Sequence, residues 1–92
     1  MTVTYDALAG MGEQFDLDVG ALVRSARLER RRTLGDVAAA AGISLAYLSQ
    51  IERGKGAVTL RVFYAIALAL DVAPESLLPR SDLGWLDRVG SL

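Results

Sequence analysis

Ser49, Gln50 and Arg53 sit in the stretch Gly42 to Gly54, on the outside of what reads as a short helix, with no structural duty apparent. A hydroxyl, a carboxamide and a guanidinium in that position do no covalent chemistry. They donate and accept hydrogen bonds, so what they offer is recognition. Covalent alternatives are poorly supplied. The chain has no cysteine and no histidine, which removes the thiol nucleophile, the thiolate metal site and the commonest general base. Glu13, Asp16 and Asp18 do not form a metal site at their spacing. No metal, no cofactor and no enzymatic activity are expected.

The elements that position these side chains can be read around them. Gly42 suits a tight turn, because it takes positive φ without a Cβ clash. Ser44 caps the first free N–H groups of a helix over about 45–52. Leu48 and Ile51, three apart, share its buried face. Gly54 ends it in a left-handed cap. Upstream, Thr33 caps a helix over about 34–41, with Asp36 as a short stand-in for the Glu of a capping box; Val37, Ala38 and Ala41 point inward and Gly42 stops it. Two short helices with a tight turn between them, the second presenting polar groups, form a helix-turn-helix.

The remaining segments supply the support. Asp18 is the expected N-cap of a first helix to about Arg31, with Val19, Val23 and Ala26 at i, i+4 and i+7 facing the core. Residues 1–17, with Gly10 and Gly12, read as an N-terminal arm. Thr59 caps a helix over about 60–70, the most apolar in the chain, with Val62, Phe63, Ile66, Ala67 and Leu70 inward. Pro74 opens a short fifth helix through Leu78, and Pro79 stops it. Ser81 caps a tail helix over about 82–89, in which Leu83, Trp85, Leu86 and Val89 are the candidate dimer contacts. The domain division is therefore 1–17 arm, 18–79 helix-turn-helix domain and 80–92 tail, in 92 residues with one modest core.

Net charge is −1, which taken whole argues against a polyanion partner. Its distribution reverses that. Residues 20–61 carry eight cations (Arg24, Arg27, Arg30, Arg31, Arg32, Arg53, Lys55 and Arg61) against Glu29, Asp36 and Glu52, a local +5 between two acidic ends. Local charge governs contact with a polyanion. The opening residues lack the basic and apolar regions of a signal peptide, and no run approaches the ~18 apolar residues of a membrane span. A cytoplasmic protein with no membrane contact is expected.

From Val19 to Leu78 the chain resembles the Cro/C1-type, or xenobiotic-response-element, helix-turn-helix family. The resemblance rests on Arg24 and Arg27, Thr33-Leu34-Gly35-Asp36-Val37-Ala38, Gly42-Ile43-Ser44, Tyr47 through Gly54, and Ala65 through Val72. It implies an all-α, five-helix, lambda-repressor-like bundle that binds double-stranded DNA as a homodimer, in a bacterial or phage-encoded protein found on the nucleoid when bound. By position, the family's base-contacting residues fall on Leu45, Ala46, Ser49 and Gln50, and Gln50 could pair bidentately with adenine. Backbone-contacting positions fall on Thr33, Ser44, Arg53, Lys55 and Arg61. Arg32, within the arginine cluster, and Tyr47, either a core edge or a phosphate-bonding hydroxyl, join that set. Arg27 and Glu52 match an ion pair joining the first and third helices. Leu34 stands where many members have Gln, and Leu45 and Ala46 where most have polar readers, so direct readout is thin.

The reading is a sequence-specific transcriptional regulator, a repressor, on a pseudo-palindromic operator. The alternative is an antitoxin or adaptor that grips a partner protein and autoregulates through the same domain.

Overall fold

The computed structural model describes residues 5–79. It contains four α-helices and one 3-10 turn, with no strand among the described residues: α1 (Tyr5–Glu29), α2 (Leu34–Ala41), α3 (Leu45–Glu52), α4 (Leu60–Leu70) and the 3-10 turn Pro74–Leu77. The bundle class matches the sequence expectation. Its fifth helix is a single 3-10 turn, opened by Pro74, whose fixed φ suits a first turn. The expected tail helix, with Leu83, Trp85, Leu86 and Val89, lies outside the described residues.

The bounds of α2, α3 and α4 are set by local chemistry. Thr33 Oγ1 accepts the Asp36 N–H at 3.0 Å while Asp36 Oδ2 accepts the Thr33 N–H at 3.2 Å, completing the capping box. Ser44 Oγ accepts the Tyr47 N–H at 3.0 Å, and Thr59 Oγ1 the Val62 N–H at 3.2 Å. At the other ends the backbone turns left-handed: Gly42 at φ 73°, Gly54 at 72° and Asp71 at 58°. Each such turn satisfies carbonyls that the helix leaves free. Ile43 N–H thus reaches Ala38 O, Lys55 N–H reaches Gln50 O and Val72 N–H reaches Ala67 O.

The first helix departs from expectation. It begins at Tyr5, so the predicted start at Asp18 is wrong and residues 5–17 continue the helix rather than forming an arm. Asp18 lies inside it and accepts a hydrogen bond from Gln14 Nε2 at 2.9 Å, one turn back. Its end is also irregular: Arg31 closes it at φ 53°, with Arg32 N–H returned to Arg27 O.

All the helices share one core. Val19 and Val23 from α1, Val37 and Ala38 from α2, Leu48 and Ile51 from α3, Phe63, Ile66, Ala67 and Leu70 from α4, and Leu77 are buried together. Two glycines set how closely α1 meets α3. A Cβ on Gly20 would collide with the carbonyl oxygen of Ile51 and lie 2.8 Å from that of Glu52. A Cβ on Gly54 would lie 2.8 Å from the Cα of Leu17. The C-terminal end of α3 is therefore clasped at backbone distance by α1.

Two glycines in the same helix give opposite expectations. Gly12 has nothing within 4 Å of its would-be Cβ, so Gly12→Ala should stabilise the fold by about 0.5–1 kcal/mol through helix propensity. Gly20→Ala should destabilise it by about 1–3 kcal/mol through overpacking. Urea unfolding followed by circular dichroism measures both; equal effects would contradict the packing described.

Candidate nucleic-acid interface

The turn Gly42-Ile43-Ser44 bends the chain by 110° between α2 and α3. Helix-turn-helix units cross at about 90–120° through a turn of this length. The bend puts the inner face of α3, Leu48 and Ile51, into the core and leaves Leu45, Ala46 and Gln50 exposed, with Ser49 half-buried. The four predicted recognition residues thus share the outer side of one short helix. Gln50 makes no side-chain hydrogen bond within the fold, and its carboxamide keeps both donor and acceptor for an external partner.

Around this face the predicted backbone-binding residues divide. Arg53, Lys55 and Arg61 are exposed. Arg53 Nε donates to Ser49 O at 3.3 Å, which steadies its stem and leaves other guanidinium N–H groups to face outward. Ser44 accepts a bond as a cap, and its hydroxyl proton stays available. Thr33, exposed, heads α2. At the starts of α2 and α3 the N–H groups of Leu34, Gly35, Leu45 and Ala46 have no acceptor inside the helix, a setting that favours an anion.

Two predicted residues turn inward instead. Tyr47 packs on the core and its hydroxyl donates to Ala57 O at 3.2 Å. Its single proton is spent on the α3–α4 loop, so in this geometry Tyr47 is the core edge rather than a phosphate donor. Arg32 Nη1 donates to Ala69 O near the C-terminal end of α4. A cation there completes free carbonyls and meets the negative end of the helix dipole. Arg32 therefore ties α1 to α4, which corrects its assignment to the backbone-contacting set.

Arg27 is buried and holds the recognition helix from behind. Its Nε donates to Glu52 Oε2 at 2.8 Å and its Nη2 to Glu52 Oε1 at 3.0 Å, while Nη1 donates to Arg32 O at 3.0 Å. This is a forked, charge-assisted pair. The side chains are 11% and 6% exposed, so the charges are shielded from water on both sides. The hydrogen bond from Glu52, against the cost of burial, raises the Arg27 pKa above its ordinary value. The sequence reading matched this pair but missed Gly20, which sits on the same face of α1 three and seven residues before Val23 and Arg27. A glycine inside an apolar stripe is the available signal of close backbone approach.

Glu52→Gln leaves the Arg27 charge buried without its partner and should cost about 3–5 kcal/mol; replacing both residues by Met should recover much of that loss. Thermal unfolding of the single and double variants measures it. Asp36 is held below the ordinary carboxylate range, first because it accepts the Thr33 backbone N–H and then through the Thr33 hydroxyl and the Arg32 charge. Its folded pKa lies below the unfolded value of about 3.9, so its stabilisation is complete above that pH and is lost as pH falls through the folded value. An Asp36→Asn variant should show a shallower loss of stability on acidification below about pH 4, read from unfolding midpoints across the acid range.

Residues 23–77 match the family model HTH_3, described as helix-turn-helix. The transcriptional regulator ClgR of Mycobacterium tuberculosis is 43% identical over 54 residues, which are 59% of this chain and 48% of that protein. The chain thus spans about half the length of that curated relative. Among solved structures, the clp gene regulator ClgR from Corynebacterium glutamicum superposes with a TM-score of 0.66 at 27% identity, covering 84% of this chain and 91% of the other. The restriction-modification controller protein C.AhdI from Aeromonas hydrophila superposes with a TM-score of 0.68 at 27% identity, covering 68% and 96%. A match over more than half of the chain, on a 110° pair of capped helices clamped by Arg27 and Glu52, places this protein in the HTH_3, Cro/C1-type helix-turn-helix family.

Proposed function

We propose that this chain is a sequence-specific double-stranded DNA-binding regulator of transcription. It acts in the cytoplasm as a repressor, by occupying its operator. The observation that carries the reading is the outer face of α3. Gln50 and Ser49 are offered outward at the end of a rigid clamp, flanked by the exposed cations Arg53, Lys55 and Arg61. An α-helix fits the major groove of B-DNA, where Gln pairs bidentately with adenine and apolar side chains touch thymine methyls. Leu45 and Ala46 take the second role. Lys55, Arg53 and Arg61, with Thr33 and Ser44 at the helix starts, hold phosphates and set the register. The names of the similar proteins, a clp gene regulator and a restriction-modification controller, describe gene control of the same kind.

A homodimer is required by size. Eight residues of α3 rise about 12 Å, which spans roughly four base pairs. One such helix reads too little sequence for a useful site. Two copies on half-sites one helical turn apart double the reading length and fix the spacing. With few direct readers, sequence-dependent groove shape supplies the remaining discrimination.

Selection of bound duplexes from a random pool at two salt concentrations tests this. The expected result is a pseudo-palindromic logo with half-site centres about 34 Å apart. Gln50→Ala should blur one base pair per half-site, at a cost of about 1–3 kcal/mol. Lys55→Ala should weaken all sequences alike and lower the salt slope by about one unit. A logo that Gln50→Ala leaves untouched removes that side chain from the readout, and no duplex retained in dilute buffer sinks the proposal.

A further inference from the structure

A groove of about 530 Å³ runs between the N-terminal half of α1, the start of α4 and the 3-10 turn, on a different set of residues from the recognition face. Phe63 lies in its lining with Tyr64 edge-on beside it, ring centroids 6.3 Å apart. Four large apolar side chains along it remain open to solvent: Leu60 at 71% exposure, Tyr64 at 49%, and Phe15 and Leu78 at 38% each. Asp16 and Glu75 lie among the same lining residues and are acidic. An aliphatic and aromatic surface of this kind gains free energy when water leaves it.

We infer that this groove is the docking site of the chain's own residues Leu83–Val89, which fold back onto it. Three observations select that occupant. The first is continuity: Leu78 lines the groove and Pro79 is the last described residue, so residues 80–92 leave from the groove itself. The second is chemistry: Leu83, Trp85, Leu86 and Val89 supply apolar bulk, and Arg80 and Arg88 bracket them with charges opposite to Asp16 and Glu75. The third is tethering. Leu83 lies five residues beyond Leu78, a reach of at most about 18 Å, and so short a tether holds the segment at an effective concentration in the millimolar range. A second copy at micromolar concentration competes poorly with that. The sequence reading gave these four apolar residues to a dimer contact; the groove offers them a place within their own chain. The inference holds whatever α3 binds.

Trp85 is the only tryptophan, so its fluorescence reports the segment directly in the full chain. Docking predicts a short-wavelength emission maximum and weak iodide quenching, both unchanged on dilution across the monomer–dimer range tracked by sedimentation. Leu60→Glu, at an exposed position inside the groove, should shift the emission to longer wavelength and raise quenching several-fold with far-ultraviolet circular dichroism unchanged. Leu68→Glu, 80% exposed on the same helix and outside the groove, should do neither. A wild-type Trp85 quenched like the free amino acid overturns the inference. So does protection that disappears as the dimer dissociates, which gives the segment to a second copy, or an emission that responds to Leu68→Glu and not to Leu60→Glu.

Discussion

The fold turns on the approach of α1 to the C-terminal end of α3. Hydrophobic burial holds the helices together but has no direction, and an eight-residue helix is too short to persist by itself. Direction comes from two attachments on one face of α1. Gly20, lacking a side chain, lets the Ile51 and Glu52 carbonyls come up against the backbone. Two turns further along, Arg27 takes the Glu52 carboxylate in a fork and also closes its own helix end through Arg32 O. The first contact fixes distance and the second fixes rotation. A helix fixed in both can present Ser49 and Gln50 at a defined angle, which burial of Leu48 and Ile51 alone would not determine.

The rest of the unit is shaped by where helices stop. α2 and α3 are both short because each has a polar cap at its start and a glycine at positive φ just past its end. Glycine reaches that conformation without Cβ strain. Asp71 and Arg31 take it without being glycine, and Asp is the better suited because its short polar side chain tolerates the left-handed region. Arg31 is held there by its neighbour: Arg32 N–H returns to Arg27 O, and the Arg32 side chain is anchored on Ala69 O. The arginines at the end of α1 therefore act as mortar between helices as much as a field for phosphate.

These features differ in how far the chain betrays them. The bounds of α2, α3 and α4 were legible because capping is local: Thr33, Ser44 and Thr59 each bond an N–H three residues on. The inward faces were legible from periodicity. The start of α1 was not, because Gly10 and Gly12 weigh against a helix and Asp18 imitates a cap. Tertiary contact outweighs both: Leu17 seats against Gly54, and Phe15 and Asp16 line the groove beside α4. Tyr47 and Arg32 show a second limit. Their types fit phosphate contact, yet each finds an internal carbonyl, Ala57 O and Ala69 O, contributed by loops or helices distant in sequence. Spacing reveals which residues share a face; it does not reveal which backbone oxygen another element will bring within reach.

The composition of the recognition face gives the clamp its importance. Leu45 and Ala46 offer no hydrogen bonds, so the proposed readout depends on Gln50, Ser49 and the fit of an apolar surface against the groove floor. A bidentate amide contact loses its value with small displacements of the helix, and there are few others to compensate. Precision must then come from the scaffold rather than from redundancy among readers. That is the setting in which a glycine-to-backbone contact and a buried ion pair suit a small domain better than larger apolar side chains in their place. Apolar replacement of a buried pair is frequently neutral or favourable for stability, so stability alone does not account for Arg27 and Glu52. Orientation does: the fork admits essentially one rotation of α3 against α1, whereas a pair of leucines would admit several.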